Sequence, residues 1–145
     1  MKLIYIAAPL FNEMERKRNV QIKEVLEKEG FNVHLPQEAG GVAYDLIKEN
    51  TEEKKNIRKK IFESDYAAVV KSDIVLFLMD GRTPDEGSCV ELGIGFALNK
   101  VCVCYKTDSR AMDENGDNNI MIDGCANWQV FKNESDLILH LKELK

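Results

Sequence analysis

Glu91 is the residue of this chain whose type and surroundings most clearly suggest chemistry. It is the single charged residue in the apolar run Ser88–Leu98, and no cation stands three or four residues away, where helical neighbours pair. A buried carboxylate without a partner is costly, or its pKa is raised. Glu91 is therefore either a reactive group in a site or a helix-start acid bonded to backbone amides.

Two glycines and several acids surround Glu91 in the sequence. Gly87 and Gly95 fall on the same helical face as Glu91, so we expect a ligand to approach the helix closely at these positions. Asp65 lies on the core-facing stripe of the preceding predicted helix, where it either caps something structural or points into the site. Further candidate acids precede the Glu91 helix: Asp80, Asp85 and Glu86.

Paired carboxylates of this kind suit substitution at the anomeric carbon of a sugar. One carboxylate attacks C1 and forms a glycosyl-enzyme ester, while another acid assists departure of the leaving group. A magnesium site built from the same acids is the competing interpretation. The four cysteines form no Cys-x-x-Cys pair, so no zinc site and no cofactor are predicted. His34 and His140 have no Cys or Ser partner at motif spacing, and we interpret both as structural.

Composition and charge limit the class of protein. The 145 residues predict a single domain, 1–145, and 44% hydrophobic with 31% charged residues is ordinary for a globular protein. A net charge of −5 disfavours binding to a nucleic acid polymer, which needs a basic surface. No apolar stretch is long enough to span a bilayer and no signal peptide is recognisable, so no membrane association is expected. Free thiols then favour a cytoplasmic protein.

Strands and helices alternate along the predicted chain, which indicates an α/β fold. The predicted strands are Lys2–Ala7, Phe31–Leu35, Asp73–Met79, Val101–Tyr105 and Trp128–Phe131. The predicted helices are Asn12–Glu29, Ala43–Asn50, Glu52–Val70, Ser88–Leu98, Asn119–Asp123 and Glu134–Leu144. Gln37–Gly41 and Thr107–Asn118 are predicted loops, the second long enough to be functional.

The predicted fold is a flavodoxin-like or Rossmann-like doubly wound sheet, five-stranded and mainly parallel, with helices on both faces. Ligands bind such sheets where the strand order reverses, which for the order 2-1-3-4-5 lies between strands 1 and 3. The loops Ala7–Asn12 and Asp80–Gly87 then face each other there, and the Glu91 helix begins beside them. There is no G-x-G-x-x-G, no G-x-x-x-x-G-K-[ST], and no acid pair after strand 1. Dinucleotide, P-loop and receiver-domain interpretations are therefore disfavoured.

Several segments together resemble one known family. They are Tyr5–Phe11, Ser64-Asp65, Ser72–Val75, Pro84–Gly93, Asn99-Lys100 and Asn119–Met121. The most specific is Asp85-x-Gly87-Ser88-x-x-Glu91-Leu-Gly after a buried strand. On these residues the chain resembles the nucleoside 2-deoxyribosyltransferases over nearly its whole length.

The resemblance implies a role for each matching residue. Glu91 is the nucleophile that attacks C1′ of the deoxyribose, and Tyr5 holds it by a hydrogen bond. Asp85 contacts the nucleobase and supplies or shares the proton that the base needs to leave. Asp65 makes a second base contact, and Phe11 packs on the base.

The resemblance also implies the substrates and the assembly. The substrates are 2′-deoxynucleosides and free nucleobases, with Gly87 and Ser88 of the motif at the substrate. The protein is expected to be a homo-oligomer, in which Asn119 reaches the sugar hydroxyls in a neighbouring subunit's site. Some relatives also supply a C-terminal carboxylate to a neighbour. The chain ends in the lysine-rich segment Leu139–Lys145, so this role is not carried over.

Two other functions compete with the transferase. A nucleoside 5′-monophosphate N-glycosidase uses the same glutamate but transfers the sugar to water. It needs groups after strand 1 that donate hydrogen bonds to the phosphate. Ala8–Phe11 is apolar there, although Ser88 and Arg110 partly compensate. A non-catalytic nucleoside-binding module is disfavoured because binding alone does not require an unpaired carboxylate. The extended loop around Arg110 leaves purine or pyrimidine preference open.

Overall fold

Five parallel strands form the centre of the computed structural model, which describes residues 1–39, 51–81, 83–108 and 118–145. The strands are β1 Leu3–Ala7, β2 Asn32–His34, β3 Ile74–Leu78, β4 Val101–Tyr105 and β5 Val130–Phe131. Their order is β2-β1-β3-β4-β5, and each neighbouring pair is parallel. The predicted doubly wound, flavodoxin-like order is confirmed.

The helices connect the strands on both sides of the sheet. They are α1 Glu13–Lys28, α2 Pro36–Ala39, α3 Thr51–Lys71, α4 Glu86–Ala97, α5 Ile120–Cys125 and α6 Glu134–Glu143. The predicted loop Gln37–Gly41 is wrong over its first part, because α2 begins at Pro36, a residue whose fixed φ suits a first helical position. The predicted helix Ala43–Asn50 and the pair Gly40-Gly41 lie outside the described residues.

Polar residues at the helix starts explain where the helices begin. The Asn12 side chain accepts from the Glu15 amide, and Glu15 bonds back to the Asn12 amide, which completes a capping box for α1. Asn133 accepts from the Asp136 amide and caps α6 in the same way. Asp85 caps α4 and Asn119 caps α5, so two residues predicted for the site also define where helices start.

The alternation of side chains along the strands gives the sheet two different faces. One face, here called the aliphatic face, packs against α1 and α6 through Ile4, Ile6, Ile22, Leu26, Ile74, Leu76, Leu137 and Leu141. The other, here called the site face, packs against α3, α4 and α5 through Tyr5, Ala7, Val69, Val75, Phe77, Leu92, Cys102, Cys104 and Ile122. Tyr5 therefore points toward the helix that carries Glu91.

The cysteines and the helix lengths bear on metal binding and on membrane spans. Cys89, Cys102, Cys104 and Cys125 are free thiols, and Cys102 and Cys104 are buried in the core as predicted. In the part of the chain that the structure describes, no three His, Cys, Asp or Glu side chains are grouped to hold a metal ion. None of the described helices combines the length and hydropathy that crossing a bilayer requires.

Candidate active site

The site centres on a hydrogen bond between residues 86 positions apart in the chain. Tyr5 is fully buried in β1, and its hydroxyl donates to Glu91 Oε1 on α4 at 2.6 Å. Glu91 is thus bound by a tyrosine hydroxyl rather than by backbone amides. This bond leaves one oxygen of the carboxylate available to a ligand.

Burial dominates the electrostatics of this pair. Removal from water raises the pKa of Glu91 from 4.5 to about 7, and the nearby charges of Asp65 and Asp85 raise it further. The hydrogen bond from Tyr5 acts in the opposite direction, because it favours the ionised carboxylate. Burial, and then the negative charge of Glu91, hold the pKa of Tyr5 well above its usual range. Tyr5 therefore remains a hydrogen-bond donor while Glu91 titrates near neutrality.

Gly95 brings the Glu91 helix close to the sheet. It is buried, and a Cβ there would lie 2.6 Å from Val75 Cγ2 and 3.2 Å from Cys102 Sγ. The absence of a side chain at Gly95 allows α4 to pack directly on β3 and β4. This close packing brings Glu91, one turn earlier, within hydrogen-bond distance of Tyr5. The prediction that a ligand approaches at Gly95 is wrong, since strand side chains occupy that space.

Gly87 differs from Gly95 because it is exposed. A Cβ at Gly87 would lie 3.3 Å from Asp85 Oδ2, which is tighter than usual contact, with no other described atom crowding it at that range. The absence of a side chain at Gly87 therefore keeps the space beside Asp85 open. This is the one of the two glycines at which close approach by a ligand is compatible with the packing.

Asp85 is held at the start of α4 by Ser88. The Ser88 amide and the Ser88 hydroxyl both donate to Asp85 Oδ2 at 2.8 Å. Among the described residues no group bonds to Oδ1, so the two donors orient the carboxylate and leave Oδ1 for another partner. Ser88 is buried, and its hydroxyl is engaged within the protein rather than presented to a ligand. The Asp-x-Gly-Ser spacing is the local signal for this arrangement, because N-cap and N3 residues meet.

Asp65 faces the Tyr5–Glu91 pair from α3. It is half-buried, and burial raises the pKa of its carboxyl group. Its charge acts on both Tyr5 and Glu91, and no described residue forms a hydrogen bond with it. Of the two alternatives for Asp65, the geometry therefore favours a carboxylate that points toward the site.

A cleft of about 410 Å³ opens beside Asp85, where the loops after β1 and β3 face each other as predicted. Its lining residues are Pro9, Phe11, Glu15, Asp80, Gly81, Thr83, Pro84, Asp85 and Glu86. Phe11 is 58% exposed at this cleft. The Phe11 amide donates to Glu15 Oε2 at 2.8 Å, so the capping box of α1 also fixes the backbone of Phe11.

Asp80 lines the cleft but is bonded to structural partners. It forms an ion pair with Arg18 of α1 at 2.5 Å and accepts from the Thr107 amide at 2.7 Å and the Asp108 amide at 2.9 Å. It thus joins α1 to the segment that follows β4. Nothing local in the sequence indicates Arg18 and Thr107 as its partners. The predicted functional loop continues into residues 109–117, and these, with Arg110, lie outside the described residues.

Asn119 lies apart from the other predicted site residues. It is exposed at the start of α5, where its side-chain oxygen accepts from the Met121 amide at 2.9 Å. Within the described chain it forms no hydrogen bond with Tyr5, Asp65, Asp85 or Glu91. The structure therefore brings Tyr5, Asp65, Asp85 and Glu91 together, with Phe11 lining the adjoining cleft and Gly87 beside Asp85, and leaves Asn119 outside this group.

Comparisons with known proteins identify the family and the fold. The family model described as "Nucleoside 2-deoxyribosyltransferase" matches residues 4–137. A search of curated proteins finds no match to the sequence.

Solved structures show a similar fold. A conserved protein from Enterococcus faecalis V583 superposes with a TM-score of 0.81 at 24% identity, covering 100% of this chain and 99% of that one. A 2-deoxyribosyltransferase from Bacillus psychrosaccharolyticus has a TM-score of 0.72 at 24% identity, over 94% and 90%. A CMP N-glycosidase from Clostridium botulinum has a TM-score of 0.60 at 18% identity, over 97% and 99%. At these identities the superpositions establish the fold alone.

Proposed function

Because the chain belongs to the nucleoside 2-deoxyribosyltransferase family, we propose that it transfers 2-deoxyribose between nucleobases through a covalent intermediate on Glu91. The observation that carries this proposal is the 2.6 Å bond from Tyr5 to a carboxylate whose pKa is about 7. Such a group is ionised in a substantial fraction of molecules at neutral pH and is held in one orientation. Both properties are required of a carboxylate nucleophile.

The proposed reaction consists of two displacements at C1′. A Glu91 oxygen forms a bond to C1′ while the bond from C1′ to the base nitrogen breaks, and its electron pair remains with the base. Asp85, through Oδ1, supplies or shares the proton that the departing base takes up. A second base then attacks C1′ through a ring nitrogen, gives the proton of that nitrogen to Asp85, and releases the Glu91 carboxylate. Two inversions return the original configuration.

Asp65 and Phe11 are proposed to contact the base. Asp65 has no hydrogen-bond partner among the described residues and lies within electrostatic reach of Glu91, so it is available to a base amino or imino group. Phe11 offers an exposed aromatic ring at the cleft, and stacking on an aromatic ring does not depend on which base is bound. Gly87 contributes by leaving space beside Asp85.

The cleft favours unphosphorylated nucleosides over 5′-monophosphates. Four of its described lining residues are acidic, Glu15, Asp80, Asp85 and Glu86, and none is basic. In the segment Ala8–Phe11, the Pro9 and Leu10 carbonyls accept bonds from Asn19 and Arg16. The Ser88 hydroxyl, a candidate hydrogen-bond donor to phosphate, already donates to Asp85. Asp80 is paired with Arg18, but the other three acids repel a dianionic phosphate, and no described lining side chain is basic.

The hydrolase remains the second candidate, since the fold is shared with a CMP N-glycosidase. The deciding experiment is to incubate the enzyme with a 2′-deoxynucleoside and a different free base, and separately with the matching 5′-monophosphate. We expect new nucleoside to form faster than free deoxyribose, and the monophosphate to be the poorer donor. Glu91→Gln is the control, because both reactions require Glu91. Faster consumption of the monophosphate, with sugar phosphate as product whichever base is added, would establish the hydrolase instead.

We further propose that a second copy of the chain covers the outer surface of α3, α4 and α5, so that Asn119 completes a neighbouring site. These helices expose an unusual number of large apolar side chains: Phe62, Tyr66, Val70, Val90, Phe96, Ile120 and Met121. An exposed apolar surface of this kind is typical of an interface. Asn119 lies at the edge of this surface, next to Ile120 in the chain.

Sedimentation of a charged variant tests the assembly. Phe62→Glu is expected to shift the protein toward the monomer and to lower transferase activity. Leu139→Glu is the matched control, because Leu139 is equally exposed, at 61%, but lies on α6. A fully active monomer, in the parent or in Phe62→Glu, contradicts this proposal.

A further inference from the structure

His34 lies directly beside Tyr5 on the site face. The two residues are register partners on the neighbouring strands β2 and β1, and Val75 of β3 is the partner of Tyr5 on its other side. The imidazole and phenol rings are stacked, with centroids 5.4 Å apart and planes 11° apart. The Tyr5 ring is therefore flanked by an aliphatic side chain on one strand and by a single aromatic ring on the other.

The imidazole of His34 makes little use of its nitrogens. Nε2 is buried and has no hydrogen-bond partner in the described part of the protein. Burial lowers the pKa of His34, and the charged groups that act on it are Glu38 of α2, which raises the pKa, and Lys71 at the end of α3, which lowers it. Glu38 is itself paired with Lys23 at 2.5 Å. Burial therefore favours the neutral imidazole, and the contact of the ring with Tyr5 is made by its face.

The hydrogen bond from Tyr5 to Glu91 depends on the orientation of the phenol. The hydroxyl lies at the end of a long rigid side chain, so a small rotation about the Cα–Cβ bond swings the ring sideways and moves the oxygen away from a 2.6 Å contact. β2 is the edge strand of the sheet that the described residues form, so among them no further strand beyond His34 limits movement of the ring in that direction. The stacked ring of His34 occupies the space on that side of the Tyr5 ring.

We propose that His34 is a positioning residue, whose ring holds Tyr5 in the orientation that keeps the tyrosine hydroxyl on Glu91. This inference rests on the function proposed above, because it concerns the same Tyr5–Glu91 pair. It assigns a role to a residue that the sequence indicated only as structural. His34 acts through Tyr5, so its effect must disappear when the Tyr5 hydroxyl is absent.

A double-mutant cycle tests this dependence. The members are the parent, His34→Ala, Tyr5→Phe and the double variant, and the readout is kcat for release of base from a 2′-deoxynucleoside per folded molecule. We expect His34→Ala to lower kcat about threefold to tenfold, the range of a lost aromatic contact, with KM changed less than about twofold. In the Tyr5→Phe background the same substitution is expected to change kcat by less than about 1.5-fold. An equal loss in both backgrounds overturns the inference, since His34 then acts independently of the hydroxyl.

His34→Phe is the matched control, because it retains a flat ring without a titratable nitrogen. It is expected to recover most of the kcat lost in His34→Ala, and a loss equal to that of His34→Ala contradicts a role for the ring face. The release of base is measured whichever acceptor takes the sugar. The double-mutant cycle therefore applies to a transferase and to a hydrolase alike.

Glu91→Gln on the same donor separates the two proposals. If the parent releases no base in a Glu91-dependent manner, the proposed function fails. The pKa of Glu91, measured by carbon NMR of labelled glutamate in the same four variants, then replaces kcat as the readout. In that reading His34→Ala must raise the pKa of Glu91 when Tyr5 is present and not in Tyr5→Phe. Equal shifts in both backgrounds overturn the inference.

Discussion

The two faces of the sheet are built from the same strands but differ in what they bury. In β1, Ile4 and Ile6 point to the aliphatic face, where α1 and α6 cover them with further aliphatic side chains. Tyr5 and Ala7 alternate with them and point to the site face. There the core holds a tyrosine hydroxyl bonded to a carboxylate whose pKa burial raises to about 7. One face therefore buries aliphatic side chains, whereas the other gives up some stability to hold a buried carboxylate.

The helices that cover the two faces also differ in how many large apolar side chains they expose to solvent. The helices of the aliphatic face expose two large apolar side chains among the described residues, Met14 and Leu139. Those of the site face expose several, including Phe62, Tyr66 and Val90. The helices that cover the ionisable pair thus also have the more apolar outer surface. The proposed chemistry and the proposed interface therefore lie on the same side of the molecule.

Removal of Glu91 is expected to have the largest effect. Glu91→Ala lowers transfer of deoxyribose by at least about a thousandfold, because the covalent intermediate cannot form. Glu24→Ala, at an exposed position of α1, is the control and retains activity. The measurement is nucleoside exchange at saturating donor, together with intact-mass detection of a deoxyribosyl adduct. Activity of Glu91→Ala within tenfold of the parent would refute the assignment.

Leu26 and Leu92 compare the faces through stability. Both leucines are buried, Leu26 on the aliphatic face and Leu92 on the site face next to Glu91. Leu26→Ala and Leu92→Ala are each expected to lower the free energy of unfolding by about 2–5 kcal/mol. Only Leu92→Ala should also lower kcat per folded molecule, because it loosens the packing of the helix that carries Glu91. Denaturant unfolding and kinetics on the same samples decide this, and an equal kcat loss in both variants removes the distinction.

Glu91→Gln is expected to stabilise the protein at high pH. The folded protein holds a proton on Glu91 up to about pH 7, whereas the unfolded chain releases it near pH 4.5, so this group reduces stability as pH rises between these values. Glutamine removes that loss, by about 1–3 kcal/mol at pH 8, and the advantage disappears below about pH 4.5. Urea unfolding at several pH values measures the difference. A constant difference between pH 4 and pH 8 disagrees with this explanation.

Tyr5→Phe is expected to change the pH dependence of activity. The Tyr5 hydrogen bond lowers the pKa of Glu91, so its loss raises that pKa. The acidic limb of kcat/KM, expected near pH 7 in the parent, should move to higher pH, and kcat should fall about tenfold. The pH–rate profiles of both proteins test this. A limb that stays in place or moves to lower pH is inconsistent with the hydrogen bond acting on the ionised carboxylate.

Ser88→Ala is expected to give the smallest effect. It removes one of the two donors that orient Asp85 while the Ser88 backbone amide remains, so kcat should fall only about twofold to tenfold. Ser88→Thr retains the hydroxyl and is the matched control. Activity on 5′-monophosphates is measured alongside, because a hydroxyl that binds phosphate predicts a selective loss there. Such a selective loss would favour the hydrolase.

Residues that act through near neighbours were predictable from the sequence. Strand and helix order follow from local periodicity, and the asparagines at positions 12 and 133 cap helices through bonds to amides three residues away. The isolation of Glu91 in an apolar helix was likewise visible within four residues on either side. The strand order matched the prediction because short right-handed connections leave few alternatives for such a chain.

What only the tertiary structure decided depends on distances across the fold. Asp80 and Asp85 both follow β3 and both line the cleft, yet Asp80 pairs with Arg18, while Asp85 Oδ1 has no hydrogen-bond partner among the described residues. Gly87 and Gly95 lie on the same helical face, one turn either side of Glu91. Val75 fills the space beside Gly95, whereas the space beside Gly87 is open, among the described residues, except for Asp85.

His34 carries no motif, and its stacking on Tyr5 arises because two strands distant in sequence pair in one register. Sequence patterns encode contacts within about one helical turn. Which distant side chains meet is decided by strand register and by how closely a helix packs on the sheet.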